Sequence, residues 1–274
     1  SLDCVEEILD EAIAKNCNMI IAHHPIVFSG LKKFNGANYI ERTVIKAIKN
    51  DIAIYAVHTN LDHVKNGVSF KIAEKIGLKN CKVLQPKKNL LSKIVTYCPQ
   101  SSAEKVREAM FSAGAGSIGD YSECSFNADG VGTFKGGENT NPTVGKVGEL
   151  HRENESKIET VVPSHLVNKV ITSLKAAHPY EEVAYDVFDL QNRHENVGSG
   201  VVGELENEEE ELAFLKRLKN DLNTDCVRYT NLLDKKVKRV AICGGSGSFL
   251  LNNAIGAQAD VFITGDFKYH QFFD

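Results

Sequence analysis

Short, wholly apolar runs alternate with amphipathic segments of helical period along the first eighty residues, and this alternation limits the fold more than any other feature. Val5, Ile8, Leu9, Ala12 and Ile13 recur at helical spacing, and "MIIA" at 19–22 follows as a strand. "YIERTVIKAIKND" at 39–51 is again helical, with Ile40, Val44, Ile45 and Ile48 on one face. "IAIYAVH" at 52–58 reads as a second strand of the doubly buried kind, and "GVSFKIAEKIGL" at 67–78 as a third helix ended by Gly77. Helix and strand in strict alternation is the grammar of a parallel sheet with helices on both faces.

The pattern changes near residue 92. "KIVTYCP" reads as a strand and "SSAEKVREAMFSAGAG" as a helix capped by Ser101 or Ser102. Two alternating stretches follow, at 121–135 and 144–163, then the helix "SHLVNKVITSLKAAHP" and the strand "EEVAYDVFDL". Two successive βαβ runs predict a split βαβ, ferredoxin-like α+β unit over 92–200, inserted in an α/β domain whose halves are 1–91 and 201–274. The Gly-rich piece "GTFKGGENTNPTVG" reads as a mobile loop within it. The acidic run "ENEEEE" reads as the solvated start of a helix, and "KVKRVAICGGSGSFLLNNAIGAQADVFITGDFKYH" returns to α/β grammar.

Net charge is −4, so no general basic field attracts nucleic acid. No apolar run approaches the roughly 20 residues of a membrane span, and the acidic, amphipathic N-terminus is not a signal peptide. The seven cysteines form no CxxC pair and no regular framework, so free thiols in a reducing cytoplasm are expected. The chain opens on "SLDC" without an initiator methionine and stops at "YHQFFD" just after a strand; both ends read as cut from a longer protein.

In parallel α/β sheets functional groups gather beyond the carboxyl ends of strands. His23 and His24 lie at one such end and His58 at another, with Asp62 four residues later; Asp266 and His270 follow a third. Imidazole and carboxylate together suit zinc, iron, manganese or nickel. Adjacent histidines point in different directions, which two ions a few ångströms apart accommodate better than one. His63 is expected in an exposed loop, and His151, His165, His178 and His194 receive no ligand role. "GGSGSF" at 244–249 could cradle a phosphate, but glycines also serve tight turns without a ligand. Pro179-Tyr180-Glu181-Glu182 reads as strand-start packing. If the segment after "DVFIT" is helical, Asp266 and His270 share a face; otherwise Asp266 is a helix N-cap.

"IIAHHPIVFSGLKKF", "AVHTNLDHVKNGVS", "VAICGGSGSFL" and "DVFITGDFKYHQFFD" resemble the Nif-three-like dinuclear metal-centre proteins, often catalogued as GTP cyclohydrolase I type 2 homologues. "HPYEEVAYDVF" resembles the CutA/PII-like insert of a longer bacterial subgroup. The resemblance covers essentially the whole chain. It implies two divalent metal ions held by His23, His24 and Asp62, with His58 and His270 as supporting or substrate-facing groups that could carry a proton. The family's remaining ligands, in a C-terminal "GHxxxE"-type motif, have no counterpart here. It also implies a closed homo-oligomeric ring, a homohexamer, and a small-molecule substrate or ligand. Two functions follow as expectations: a metal-dependent hydrolase acting on a nucleotide-like or phosphoester substrate, or a non-catalytic metal-binding scaffold or regulator whose insert senses a ligand or binds a partner.

Overall fold

A computed structural model describes residues 1–272. In chain order its elements are α1 (Glu6–Ala14), β1 (Met19–Ala22), α2 (Tyr39–Lys49), β2 (Ala53–Ala56), α3 (His58–Asp62), α4 (Val68–Lys75), β3 (Lys79–Lys87), β4 (Leu91–Pro99), α5 (Ala103–Ser112), β5 (Ser125–Lys135), β6 (Leu150–Pro163), α6 (Val167–Ala177), β7 (Tyr185–Leu190), β8 (His194–Glu210), α7 (Glu211–Leu222), β9 (Lys236–Ser246), α8 (Leu251–Gly256) and β10 (Val261–Asp266). They fall into two compact units, Ser1–Pro86 with Glu195–Asp274, and Lys87–His194. β8 begins at His194, at the second boundary.

The first unit contains two sheets. β1 and β2 pair in parallel, Met19 opposite Ala53 through Ala22 opposite Ala56. Ile20 and Ala22 point into a core with Leu9 and Ala12 of α1 and Ala47 of α2. Met19, Ile21 and Tyr55 are exposed. The sequence reading of doubly buried strands is therefore corrected: among the described residues α1 and α2 cover one face only, and the strands alternate inward and outward. The start of α2 explains its register. Asn38 accepts from the Glu41 N–H at 2.9 Å, and its amide donates back to the Glu41 carboxylate at 3.0 Å, a reciprocal cap. Burial opposes the Glu41 charge, but the N–H groups of Asn35, Ala37 and Gly36 and the Asn38 amide outweigh it, so its carboxyl lies below its ordinary value.

The other sheet of this unit has the order β10-β9-β8-β3, with β10 parallel to β9 and β9 antiparallel to β8. Both faces are covered. Ala73 and Ile76, from α4 and its cap, and Phe214 and Leu218 of α7 pack on Val201, Leu205, Val240 and Ile242. Leu250 and Ala254 pack with Leu84, Ala241 and Cys243 on the other side. The acidic run is strand, since Glu206 to Glu210 close β8 and α7 starts only at Glu211. Pairing of Glu209 with Val237 and Glu210 with Lys236 holds it extended, a non-local bond that local charge patterning does not reveal.

The second unit has four antiparallel strands in the order β5-β6-β4-β7. Taken as strands one to four of the unit, this is 2-3-1-4, the ferredoxin-like arrangement. Val106 and Met110 of α5 and Val170 and Leu174 of α6 bury Ile94, Cys98, Ile158 and Val162 on one sheet face. Ser102 occupies the N-cap position of α5 without a side-chain bond; a 3-10 turn over Gln100–Ser102 leads into the helix instead. The loop after β5 is tied to the 178–182 segment. Asn141 N–H donates to Glu181 at 2.9 Å and the Thr143 hydroxyl to the Pro179 carbonyl at 2.7 Å.

All seven cysteines are free. No helix among the described residues is long and apolar enough to cross a membrane.

Candidate metal centre

The parallel ladder of β1 and β2 continues beyond the strands. Val57 N–H donates to the Ala22 carbonyl at 2.9 Å, and His58 N–H to the His23 carbonyl at 2.8 Å. The two strand ends thereby carry His23, His24 and His58 to one place. His58 opens α3 with φ +35°, a left-handed conformation that costs a side-chain-bearing residue energy. Asp62 closes the single turn of α3 that His58 opens.

The rings of His23 and His24 lie 4.9 Å apart, those of His23 and His58 5.9 Å, and those of His24 and His58 6.2 Å. All three pairs meet edge to face. The exposed Phe28 ring stands 6.3 Å from His58, also edge to face. His23 Nε2 is 3.8 Å from Asp62 Oδ1. His24 Nδ1 is 2.9 Å from Asp3 Oδ1, a carboxylate that the sequence reading did not single out. Its signal was only its place in "SLD" before the first helix, and no periodic rule reports on that.

Asp62 also faces the second sheet of the same unit. Burial pushes the Cys243 thiol up to about 11, and the nearby Asp62 carboxylate adds to the shift. Cys243 leads into Gly244, whose N–H donates to Ser69 Oγ at 3.1 Å; a Cβ on Gly244 would stand 2.7 Å from Val68 Cγ1. The glycine-rich turn is thus used for close packing. Gly247 N–H donates to Thr264 Oγ1 at 2.8 Å, and that hydroxyl donates to the Gly245 carbonyl at 2.9 Å.

The structure brings together His23, His24, His58 and Asp62. His270 lies in a 3-10 turn over Tyr269–Phe272 and is exposed, and among the described residues no hydrogen bond or ring contact joins it to the other four. Asp266 is the last residue of β10, opposite Ser246, so neither a shared helical face with His270 nor a helix cap is formed. Sheet pairing holds Asp266 extended, and the Lys268 N–H is instead met by Gln271 Oε1 at 3.0 Å. Elsewhere in this unit a groove of about 650 Å³ is lined by Asn80, Lys82, Glu204 and Arg239. Arg239 is already held by Glu204 and the Ala257 carbonyl, and no histidine lines that groove.

The Duf34/NIF3 (NGG1p interacting factor 3) family matches residues 1–274. The chain belongs to the Duf34/NIF3 family. The GTP cyclohydrolase 1 type 2 homolog of Halalkalibacterium halodurans is 42% identical over 271 residues, 98% of this chain and 73% of the relative. The protein of the same name from Bacillus subtilis is 41% identical with the same coverage. Among solved structures, a Bacillus cereus protein related to NIF3 superposes with a TM-score of 0.85 at 44% identity, over 100% of this chain and 73% of that one. The Duf34/NIF3 fold thus includes both units of the present chain. The donor types of the cluster suit a divalent ion: imidazole nitrogens and a carboxylate, with a second carboxylate on one ring. Among the described residues no three His, Cys, Asp or Glu side chains close around a single ion position.

Proposed function

We propose that this chain forms part of a dinuclear metal site and acts as a metal-dependent hydrolase on a nucleotide-like or phosphoester substrate. The observation that carries this reading is the meeting of His23, His24, His58 and Asp62 at the ends of two parallel strands, one of them on a strained backbone. Three imidazoles and a carboxylate, partly covered to exposed, gather there without adding to an apolar core, and the left-handed backbone at His58 adds a cost. The name that the Halalkalibacterium and Bacillus relatives carry supports a GTP-like substrate class. Divalent ions bound there would lower the pKa of a water and polarise a phosphoryl or amidine group.

His23, His24 and Asp62 would supply donors. His58, in ring contact with both histidines, is the first candidate to take or return a proton. His270 is the second proton-carrying candidate, approached from the end of β10. The exposed apolar side of β1 and β2, with Met19, Ile21 and Tyr55, supports assembly into a homo-oligomeric ring, taken to be a homohexamer. Seven free thiols favour a cytoplasmic setting.

The test is metal content followed by activity. After dialysis against zinc or manganese(II), elemental analysis should find metal in the wild-type chain and less in His23→Ala, His24→Ala and Asp62→Ala. The loaded protein is then assayed on a panel of nucleotides and phosphoesters. Metal without hydrolysis would favour the scaffold or regulator reading; no metal in the wild type would remove the metal reading for this chain.

A further inference from the structure

Asp3 is placed against His24 by backbone bonding on both sides. His23 N–H donates to the Ser1 carbonyl at 3.1 Å and His24 N–H to the Leu2 carbonyl at 2.9 Å, so residues 1–2 lie along the end of β1. Cys4, the next residue, is fully buried with Leu9 and Ile20, which pins the chain beyond Asp3. Between these two anchors the Asp3 side chain meets His24 Nδ1 at 2.9 Å. An ionised carboxylate accepts hydrogen bonds and cannot donate them, so this bond requires the hydrogen on Nδ1. In the neutral ring Nε2 is then a bare lone pair, the form that binds a cation.

We propose that Asp3 is a positioning residue: it holds His24 in the Nδ1–H tautomer and fixes the ring so that Nε2 is the donor offered to a divalent cation. This inference rests on the metal-centre reading above and assigns the orienting group of that site. It distinguishes two histidines adjacent in sequence. His23 turns its Nε2 toward Asp62, whereas His24 turns its Nδ1 toward Asp3, and the two rings are inclined at 64°. Each imidazole thus has its own carboxylate, one on α3 and one before α1. The Asp3 and His24 side chains are about half exposed, and an exposed pair of this kind contributes little to folding. An orienting role can therefore be separated from a structural one.

Zinc and manganese(II) are titrated into the wild-type chain, Asp3→Ala, Asp3→Asn and Asp62→Ala, and the apo proteins are compared by nitrogen-15 imidazole spectra. Removing an orienting partner of a metal histidine costs about 10–100-fold in affinity, and that loss is expected for Asp3→Ala with an unchanged thermal midpoint. Asp3→Asn, whose amide oxygen still accepts from Nδ1–H, should recover most of it. The His24 signals should report Nδ1–H in the wild type and a tautomer mixture in Asp3→Ala. Wild-type affinity in Asp3→Ala together with lost affinity in Asp62→Ala would overturn the role of Asp3 and leave the metal reading standing. If the wild type binds neither ion, the metal reading fails by itself. The spectra then decide for Asp3: identical His24 tautomers with and without its carboxylate would overturn the proposal.

Discussion

The backbone N–H of His58 donates to the carbonyl of His23 at 2.8 Å, and this bond extends the β1–β2 ladder one step past the strands while His58 turns to φ +35°. Left-handed geometry costs a residue with a Cβ about 1–2 kcal/mol, and glycine escapes it. His58→Gly should therefore be more stable than His58→Ala by about 1 kcal/mol in urea unfolding. Both variants lose the imidazole and should lose the same function. Equal stabilities would mean that the turn relaxes once the ring is gone.

Gly67, five residues after Asp62, has no room for a side chain. A Cβ there would stand 1.9 Å from the Leu61 carbonyl oxygen and 2.9 Å from that of Val64, both backbone atoms that cannot swing aside. Gly67→Ala must separate α3 from α4. Overpacking of this kind costs about 1–3 kcal/mol or more. The measurement is the urea midpoint at constant slope, and the Asp62-dependent function should fall with it.

His178 makes the second unit sensitive to mild acid. Its Nε2–H donates to the Tyr97 carbonyl at 2.9 Å and its Nδ1 accepts from the Tyr180 N–H at 3.1 Å, so the folded ring is neutral. Burial holds its pKa below the ordinary 6.5, against smaller opposing effects from the Tyr97 carbonyl and Glu155. The unfolded chain then takes up a proton that the folded unit refuses. Stability attributable to His178 is present above about pH 6.5 and is lost as pH falls below it. Denaturation midpoints of the wild type should drop between pH 7 and pH 5, and His178→Gln should show a shallower slope over the same interval.

Tyr180 supplies the alkaline counterpart. Its hydroxyl donates to Glu155 Oε1 at 2.9 Å, and burial, then that bond, raise its pKa above the ordinary 10. A raised folded value means that stability is complete below pH 10 and is lost as pH climbs beyond it. Tyr180→Phe should flatten the alkaline limb of the stability profile and, with the Glu155 carboxylate deprived of a donor, cost about 1 kcal/mol at pH 7.

Arg217 joins α7 to its surroundings at two points, Glu209 and the Ile76 carbonyl, and pairs with Asp221 within the helix. Its guanidinium donates to both Glu209 oxygens, to Asp221 at 2.7 Å and to the Ile76 carbonyl at 3.0 Å. A planar fork is needed for that set. Arg217→Lys should cost about 1 kcal/mol, discounted because the side chain is one-third exposed. A thermal midpoint equal to that of the wild type would count against the network.

Helix and strand positions in this chain were legible because their signals are local. Leu9 and Ala12 recur at helical spacing and bury together; "MIIA", short and apolar between two amphipathic stretches, reads as a strand; Val106, Met110, Val170 and Leu174 announce the two helices of the second unit. The strand-end placement of His23, His24 and His58 follows from the same local patterns. What tertiary structure decided is everything that depends on pairing between distant segments. Register between β1 and β2 brings His58 to His23, the bonds of residues 1–2 to β1 bring Asp3 to His24, and pairing with β9 keeps the acidic end of β8 extended. The same holds for His270, which sequence spacing set beside Asp266 and which the end of β10 keeps apart from it. A side chain's type and its place in an element are written in its neighbours along the chain, but its partner across space is fixed by non-local hydrogen bonds and packing, which no local window contains.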